Sequence, residues 1–251
     1  MRATTLIALV GIPAYALFMV LAAPATFIGN RAAAASGARA HFSDAQGTLW
    51  SGSMRGRYDG TGGTFTCDRI AWRLLPAKLI QARIAFDVEA DCPDAQGRVQ
   101  IARAWSEWEA SGGSARVAGR ALPAFFPMVA AWRPEGSISV TADGLRWNDR
   151  EMQGPLTLEW RDAAVALSDV RPLGTYRLTA QGVGDTAKLA LSTVAGAMRM
   201  TGQGELKLPG GVTFSGEARG EGANAAALEP LLNLMGPRRP DGARSIEVRI
   251  R

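Results

Sequence analysis

The chain has 251 residues, 47% of them hydrophobic and 20% charged, with a net charge of +5. Those fractions exclude a disordered chain or a disulfide-rich mini-protein, and one His with two Cys leaves no ligand set for a zinc or haem site. Only Lys78, Lys188 and Lys207 of the 28 basic residues are lysines, and the arginines are scattered thinly, which argues against a nucleic-acid footprint.

From Ala3 to Gly29 there is no charged residue, and the dense apolar run from Leu6 to Leu21 lies inside this stretch. Its length exceeds the roughly 20 residues needed to cross a bilayer as a helix. Arg2 precedes it, as expected for an N-terminus that stays in the cytoplasm. Pro13 would kink the span, which membrane helices tolerate. A cleaved signal peptide is the rival reading, with small residues at Ala22-Ala23-Pro24-Ala25 and again at Ala32–Ser36. Length and Pro24 favour an uncleaved anchor. The expected organisation is therefore a membrane anchor over residues 1–30 and an exported domain over 31–251.

His41, the only imidazole, sits in Ala40-His41-Phe42 and reads as structural, as a lone His in a strand does. Export into an oxidising compartment makes Cys67 and Cys92 a disulfide pair, and they lack the spacing of a redox motif. Asp87, Glu89 and Asp91 share one strand face opposite Phe86, Val88 and Ala90. They read as the solvated side of a strand; as a cation site they lack loop spacing and a tight-turn glycine.

Leu122, Phe125, Phe126, Val129 and Trp132 fall at helical spacing, with Pro123 near the start and Pro127 inside, which predicts a helix of one to three turns. Period-two alternation dominates from there onward. Leu156, Leu158 and Trp160 alternate with polar residues, as do Tyr176, Leu178 and Ala180, then Val212 and Phe214, and finally Ile246, Val248 and Ile250. Such stripes put one face of an antiparallel sheet on a dry core. Turn signals at Asp143-Gly144, Gly182–Asp185, Pro209–Gly211 and Gly220–Gly222 separate them. The pairs Gly182/Gly184, Gly202/Gly204 and Gly220/Gly222 precede strands or turns, so they do not read as phosphate loops. Leu228, Leu231, Leu232 and Met235 predict a helix from about Asn224 to Gly236.

The predicted fold is mainly β: a large antiparallel sheet or sandwich-like domain with two short helices plugging its ends. Residues 36–120 and 135–220 each run as several strands followed by an apolar helical segment, suggesting two similar layers divided near 121–134. The seven Trp lie between Trp50 and Trp160 and are assigned to core or cross-strand packing; an apolar groove is the functional alternative. No catalytic, cofactor or metal set emerges, so an enzyme is not expected.

Several blocks resemble a known family. Gly47-Thr48-Leu49-Trp50-Ser51-Gly52 follows a single N-terminal span. Ile70-Ala71-Trp72-Arg73-Leu74-Leu75-Pro76 leads into Gln81–Phe86. Later come Gly154–Trp160 and Pro172–Leu178. Together, from the anchor to about Gly222, they resemble the protein N component of the bacterial type II secretion system, also called general secretion pathway protein N. From Pro237 onward no block resembles the family. The resemblance implies a small inner-membrane protein with its bulk in the periplasm, accessory to the export of folded proteins and in contact with other secretion components. It carries no catalytic or ligand motif. The family is also similar to AsmA-type periplasmic β proteins associated with lipid handling, which keeps a lipid-binding groove as an alternative. A third possibility, an outer-membrane β-barrel, fits the alternation but not the short strands or the missing terminal aromatic.

Overall fold

The computed structural model describes residues 22–250 together with Tyr15, Phe18 and Met19. Most of the predicted membrane span therefore lies outside the described residues, among which no helix is long and apolar enough to cross a membrane.

Alternating sequence gives alternating burial. The strands are β1 (Ala40–Gly47), β2 (Ser51–Gly60), β3 (Gly63–Leu74), β4 (Ile84–Cys92), β5 (Ala95–Ala104), β6 (Glu107–Ala118), β7 (Glu135–Ala142), β8 (Leu145–Trp147), β9 (Met152–Ala164), β10 (Gly174–Val183), β11 (Thr186–Gly196), β12 (Met198–Lys207), β13 (Gly211–Gly220) and β14 (Arg244–Ile250). All belong to one 14-stranded antiparallel sheet, in sequence order from β1 to β14. β8 pairs with the same two neighbours as β7, so the two form one strand position broken at Asp143-Gly144. The sandwich alternative gives way here: hydrogen bonding continues through both halves instead of splitting into two sheets. β1 and β14 are not paired with each other, so the sheet is open and not a closed barrel.

A strict meander fixes where each connection lies, because successive turns must alternate between the two ends of the sheet. The long connections β6–β7, β9–β10 and β13–β14 consequently share one end. Two of them carry the predicted helices. Residues 119–132 form a 3₁₀ turn, the single helical turn α3 (Leu122–Phe125) and a second 3₁₀ segment, Pro127–Trp132. Pro127 breaks the helix that the apolar spacing predicted, since it lacks the N–H for continuation. α4 (Ala225–Met235) keeps its predicted bounds and buries Leu228, Leu231 and Leu232 on one face. Two further helices were not expected: α1 (Thr26–Ala35) before β1, and the one-turn α2 (Pro76–Leu79) between β3 and β4.

Two apolar clusters hold the sheet. Near its start, Ala25, Met54 and Trp72 are buried with Ile28, Phe42, Ile70, Phe86 and Val88 against them. α1 therefore packs on the sheet, and the run that reads as the tail of the span is folded from Ala25 onward. Towards the far edge, Leu173, Tyr176, Met198, Ala218 and the α4 leucines form the second cluster. Tyr176 donates its hydroxyl to the Met198 carbonyl at 3.0 Å, and burial pushes that hydroxyl above its ordinary pKa.

Cys67 of β3 and Cys92 of β4 form a disulfide.

Candidate functional site

The two blocks that carry the family resemblance most specifically meet at one corner of the sheet. Gly47 sits at φ +87°, where a Cβ would lie 2.4 Å from the Ser51 carbonyl oxygen, so glycine is required to start the turn. Thr48 closes it: its amide donates to the Ser51 carbonyl at 2.9 Å, and its hydroxyl accepts from the amides of Trp50 and Ser51, each at 3.3 Å. The Trp72 indole N–H then donates to the carbonyls of Thr48 and Leu49 at 3.2 and 3.1 Å. The edge of the Trp72 ring lies where a Cβ on Gly52 would stand, 2.8 Å from it. Each small or polar residue of Gly-Thr-Leu-Trp-Ser-Gly thus has a geometric task, and the Trp of the second block locks the first.

The same corner receives the chain from its N-terminal run. Leu49 donates its amide to the Ala23 carbonyl at 2.7 Å, and Ala25 donates to the Gly47 carbonyl at 3.2 Å. The later blocks build the second cluster instead. Leu173 is fully buried, and Gly174 lies so close to β11 that a Cβ would meet the Ala195 carbonyl at 2.6 Å.

The polar face beside the corner is a shallow groove of about 390 Å³, crossed by one ion pair between neighbouring strands. Arg98 donates through Nε to Asp87 at 3.0 Å and also through Nη2, and these bonds hold the Asp87 carboxyl below the usual carboxylate range. Asp91 accepts from Gln96 at 3.1 Å. Asp87, Glu89 and Asp91 do share the polar face of β4, but Arg73, Ala71 and Arg69 stand opposite them. Among the described residues no group of three or more His, Cys, Asp or Glu could hold a metal. Farther along the same face, Glu159 accepts from Arg177 at 2.8 Å and from Arg161 at 2.6 Å, which lowers its pKa.

His41 is exposed on β1, with Nε2 3.6 Å from an Asp59 oxygen. Gly202 and Gly204 do not precede a strand but lie inside β12. A Cβ on Gly202 would stand 2.5 Å from Cζ of Phe214, so the glycines make room for that ring. Among the tryptophans, Trp72 is buried and Trp108 stacks on Trp147 with centroids 6.3 Å apart. Trp105 and Trp132 depart from the packing role assigned to them: both are exposed.

Three features escaped the sequence. One is the Gly202–Phe214 fit, which depends on strand register. The second is the pair of buried Arg244 and Glu229 at 2.7 Å, which joins β14 to α4. The third is the exposed apolar group at the β3–β4 and β5–β6 connections. Only Leu79-Ile80, two adjacent apolar residues that a one-turn helix cannot both bury, gave any signal.

A family model described as type II secretion system (T2SS), protein N, matches residues 38–247. The match takes in both blocks of the corner, the disulfide, both long helical connections and most of the C-terminal stretch in which the sequence showed no family block. No curated protein and no solved structure matches the chain. With the corner built from the family's most specific blocks and the match spanning most of the chain, the protein belongs to the type II secretion system protein N family.

Proposed function

We infer that the protein is an accessory inner-membrane component of the type II secretion machine, held by its N-terminal apolar run with the sheet in the periplasm. It works by contact with other secretion components and not by catalysis. The observation that carries this reading is the family match over an open sheet whose edges, β1 and β14, are unpaired among the described residues. An unpaired edge is a template for strand addition by a partner. The Cys67–Cys92 disulfide supports an oxidising compartment. Separate apolar clusters near the two edges support a chain of two similar halves divided near residues 121–134.

The test is deletion of the gene in a secreting strain, with exported enzymes assayed in the medium and the full chain restored from a plasmid. Loss of secretion that the plasmid restores supports the reading. Normal secretion with altered envelope lipid would overturn it.

That second outcome would favour a lipid-binding groove, for which one observation speaks. On β9, β10, β11 and β13, Leu158, Leu178, Leu189, Leu191 and Phe214 share the apolar face yet remain half-buried. Native mass spectrometry of the detergent-extracted full chain checks this reading, and absence of bound lipid counts against it.

A further inference from the structure

Lys78-Leu79-Ile80 closes the one-turn helix α2 and continues past it, and no described residue covers its two apolar side chains. Leu79 is 46% exposed and Ile80 91% exposed. Ile84, which begins β4, is exposed as well, and it pairs with Arg103 of β5. Two residues beyond Arg103, at the tip of the β5–β6 turn, Trp105 is 93% exposed. These side chains form an apolar rim with Lys78 beside it.

The position of the rim is fixed by the meander. The β1–β2, β3–β4 and β5–β6 connections all lie at the end of the sheet opposite to the helical plugs. The N-terminal run joins the fold at that same end, through the Leu49–Ala23 hydrogen bond. Two hydrogen bonds connect them: Leu74 donates to the Trp50 carbonyl at 2.6 Å, and Leu75 to the Ala85 carbonyl at 2.8 Å. At a strand spacing of about 4.8 Å, the β3–β4 loop lies about 10 Å from the β1–β2 turn. Farther from the N-terminal run, two tips at this end carry acidic residues, Asp149 and Glu151 beside Arg150 in one and Asp185 in another, and the last is Leu208-Pro209-Gly210. The described residues within the run, Tyr15, Phe18 and Met19, expose large apolar side chains as well.

We propose that this rim, Lys78, Leu79, Ile80, Ile84 and Trp105, rests on the surface of a phospholipid bilayer, so that the sheet stands on the membrane by one end. The proposal rests on the anchor reading given above, because the run that enters the bilayer brings the rim to it. A Trp at a tip suits the headgroup region, aliphatic side chains suit the layer beneath, and a Lys can reach anionic phosphate.

The test uses the full chain in vesicles of phosphatidylethanolamine and phosphatidylglycerol. Both native cysteines are in the disulfide, so Gln81→Cys, Ser106→Cys and Met128→Cys each give one site for a nitroxide label. Gln81 and Ser106 flank the rim and leave its apolar residues in place. Met128, equally apolar and 80% exposed, lies at the plugged end. Collision with oxygen against a water-soluble nickel chelate reads lipid contact, and flotation reads anchoring.

We expect the protein to float, with the oxygen-to-nickel ratio several-fold higher at 81 and 106 than at 128. Adding Ile80→Ser and Trp105→Ser should return the label at 106 to the value at 128 while flotation persists. A floating protein whose labels at 81 and 106 are as wet as at 128 overturns the proposal and leaves the anchor reading standing. A protein that fails to float overturns both.

Discussion

Trp72 donates its indole N–H to the carbonyl oxygen of Thr48 at 3.2 Å, across 24 residues of sequence. The bond ties β3 to the turn between β1 and β2, and through Leu49 to the point where the N-terminal run joins the sheet. A buried donor shared by two carbonyls makes this corner sensitive to loss of a single side chain.

Trp72→Phe should therefore destabilise the protein by about 1 kcal/mol through the lost donor. Trp72→Ala should cost about 3–5 kcal/mol, because it also empties the space over Gly52 and beside Met54. Urea denaturation of the detergent-solubilised chain measures both, and an unchanged midpoint for Trp72→Phe would show that the hydrogen bond contributes nothing.

Gly202→Ala and Gly204→Ala should each destabilise by about 1–3 kcal/mol, yet differ in how they are rescued. At Gly202 the nearest obstacle is the end of the Phe214 ring, 2.5 Å from a Cβ, so Phe214→Leu should restore much of the loss. At Gly204 the obstacle is the Thr213 carbonyl oxygen at 2.4 Å, which no change at Phe214 removes. A double-mutant cycle reads the contrast, and equal rescue at both positions would contradict the register of β12 on β13.

Reduction of the Cys67–Cys92 bond should lower stability by about 3 kcal/mol on the loop-entropy account, given its sequence separation of 25. The check is the urea midpoint with and without reductant, alongside Cys67→Ala/Cys92→Ala. The double variant should match the reduced protein and ignore reductant.

The carboxylates of the polar face should govern acid stability. Asp87 is held below its ordinary 3.8 by Arg98, and Glu159 below its ordinary 4.5 by Arg177 and Arg161. A carboxylate with a lowered folded pKa contributes stability that is complete above the unfolded value and disappears as pH falls through the folded one. Urea midpoints should thus be flat above about pH 5 and fall steeply below about pH 4. Asp87→Asn should make that acid limb shallower; an unchanged limb would mean that the Arg98 pairing adds no stability.

Much of the fold was legible because strand periodicity is local. The stripe at Leu156–Trp160, the stripe at Tyr176–Ala180 and the α4 leucines needed only their spacing to declare which side faces inward. The helix over 122–132 was legible as apolar but not as broken, although Pro127 marked the break. The corner was only half legible. Gly47–Gly52 and Trp72–Pro76 stood out as blocks, while their contact depends on β2 and β3 pairing so that Gly52 faces Trp72.

The sequence by itself determined that this is a β protein with an apolar N-terminal run, a cysteine pair and the blocks of one secretion family, since each of these is written in neighbouring residues. Only the tertiary structure decided that the strands form one continuous open sheet, because alternation fixes which face is apolar but not which strand pairs with which. It also decided where Leu79, Ile80 and Trp105 stand. Their place beside the N-terminal run follows from counting turns along a meander, a long-range property that no local pattern contains.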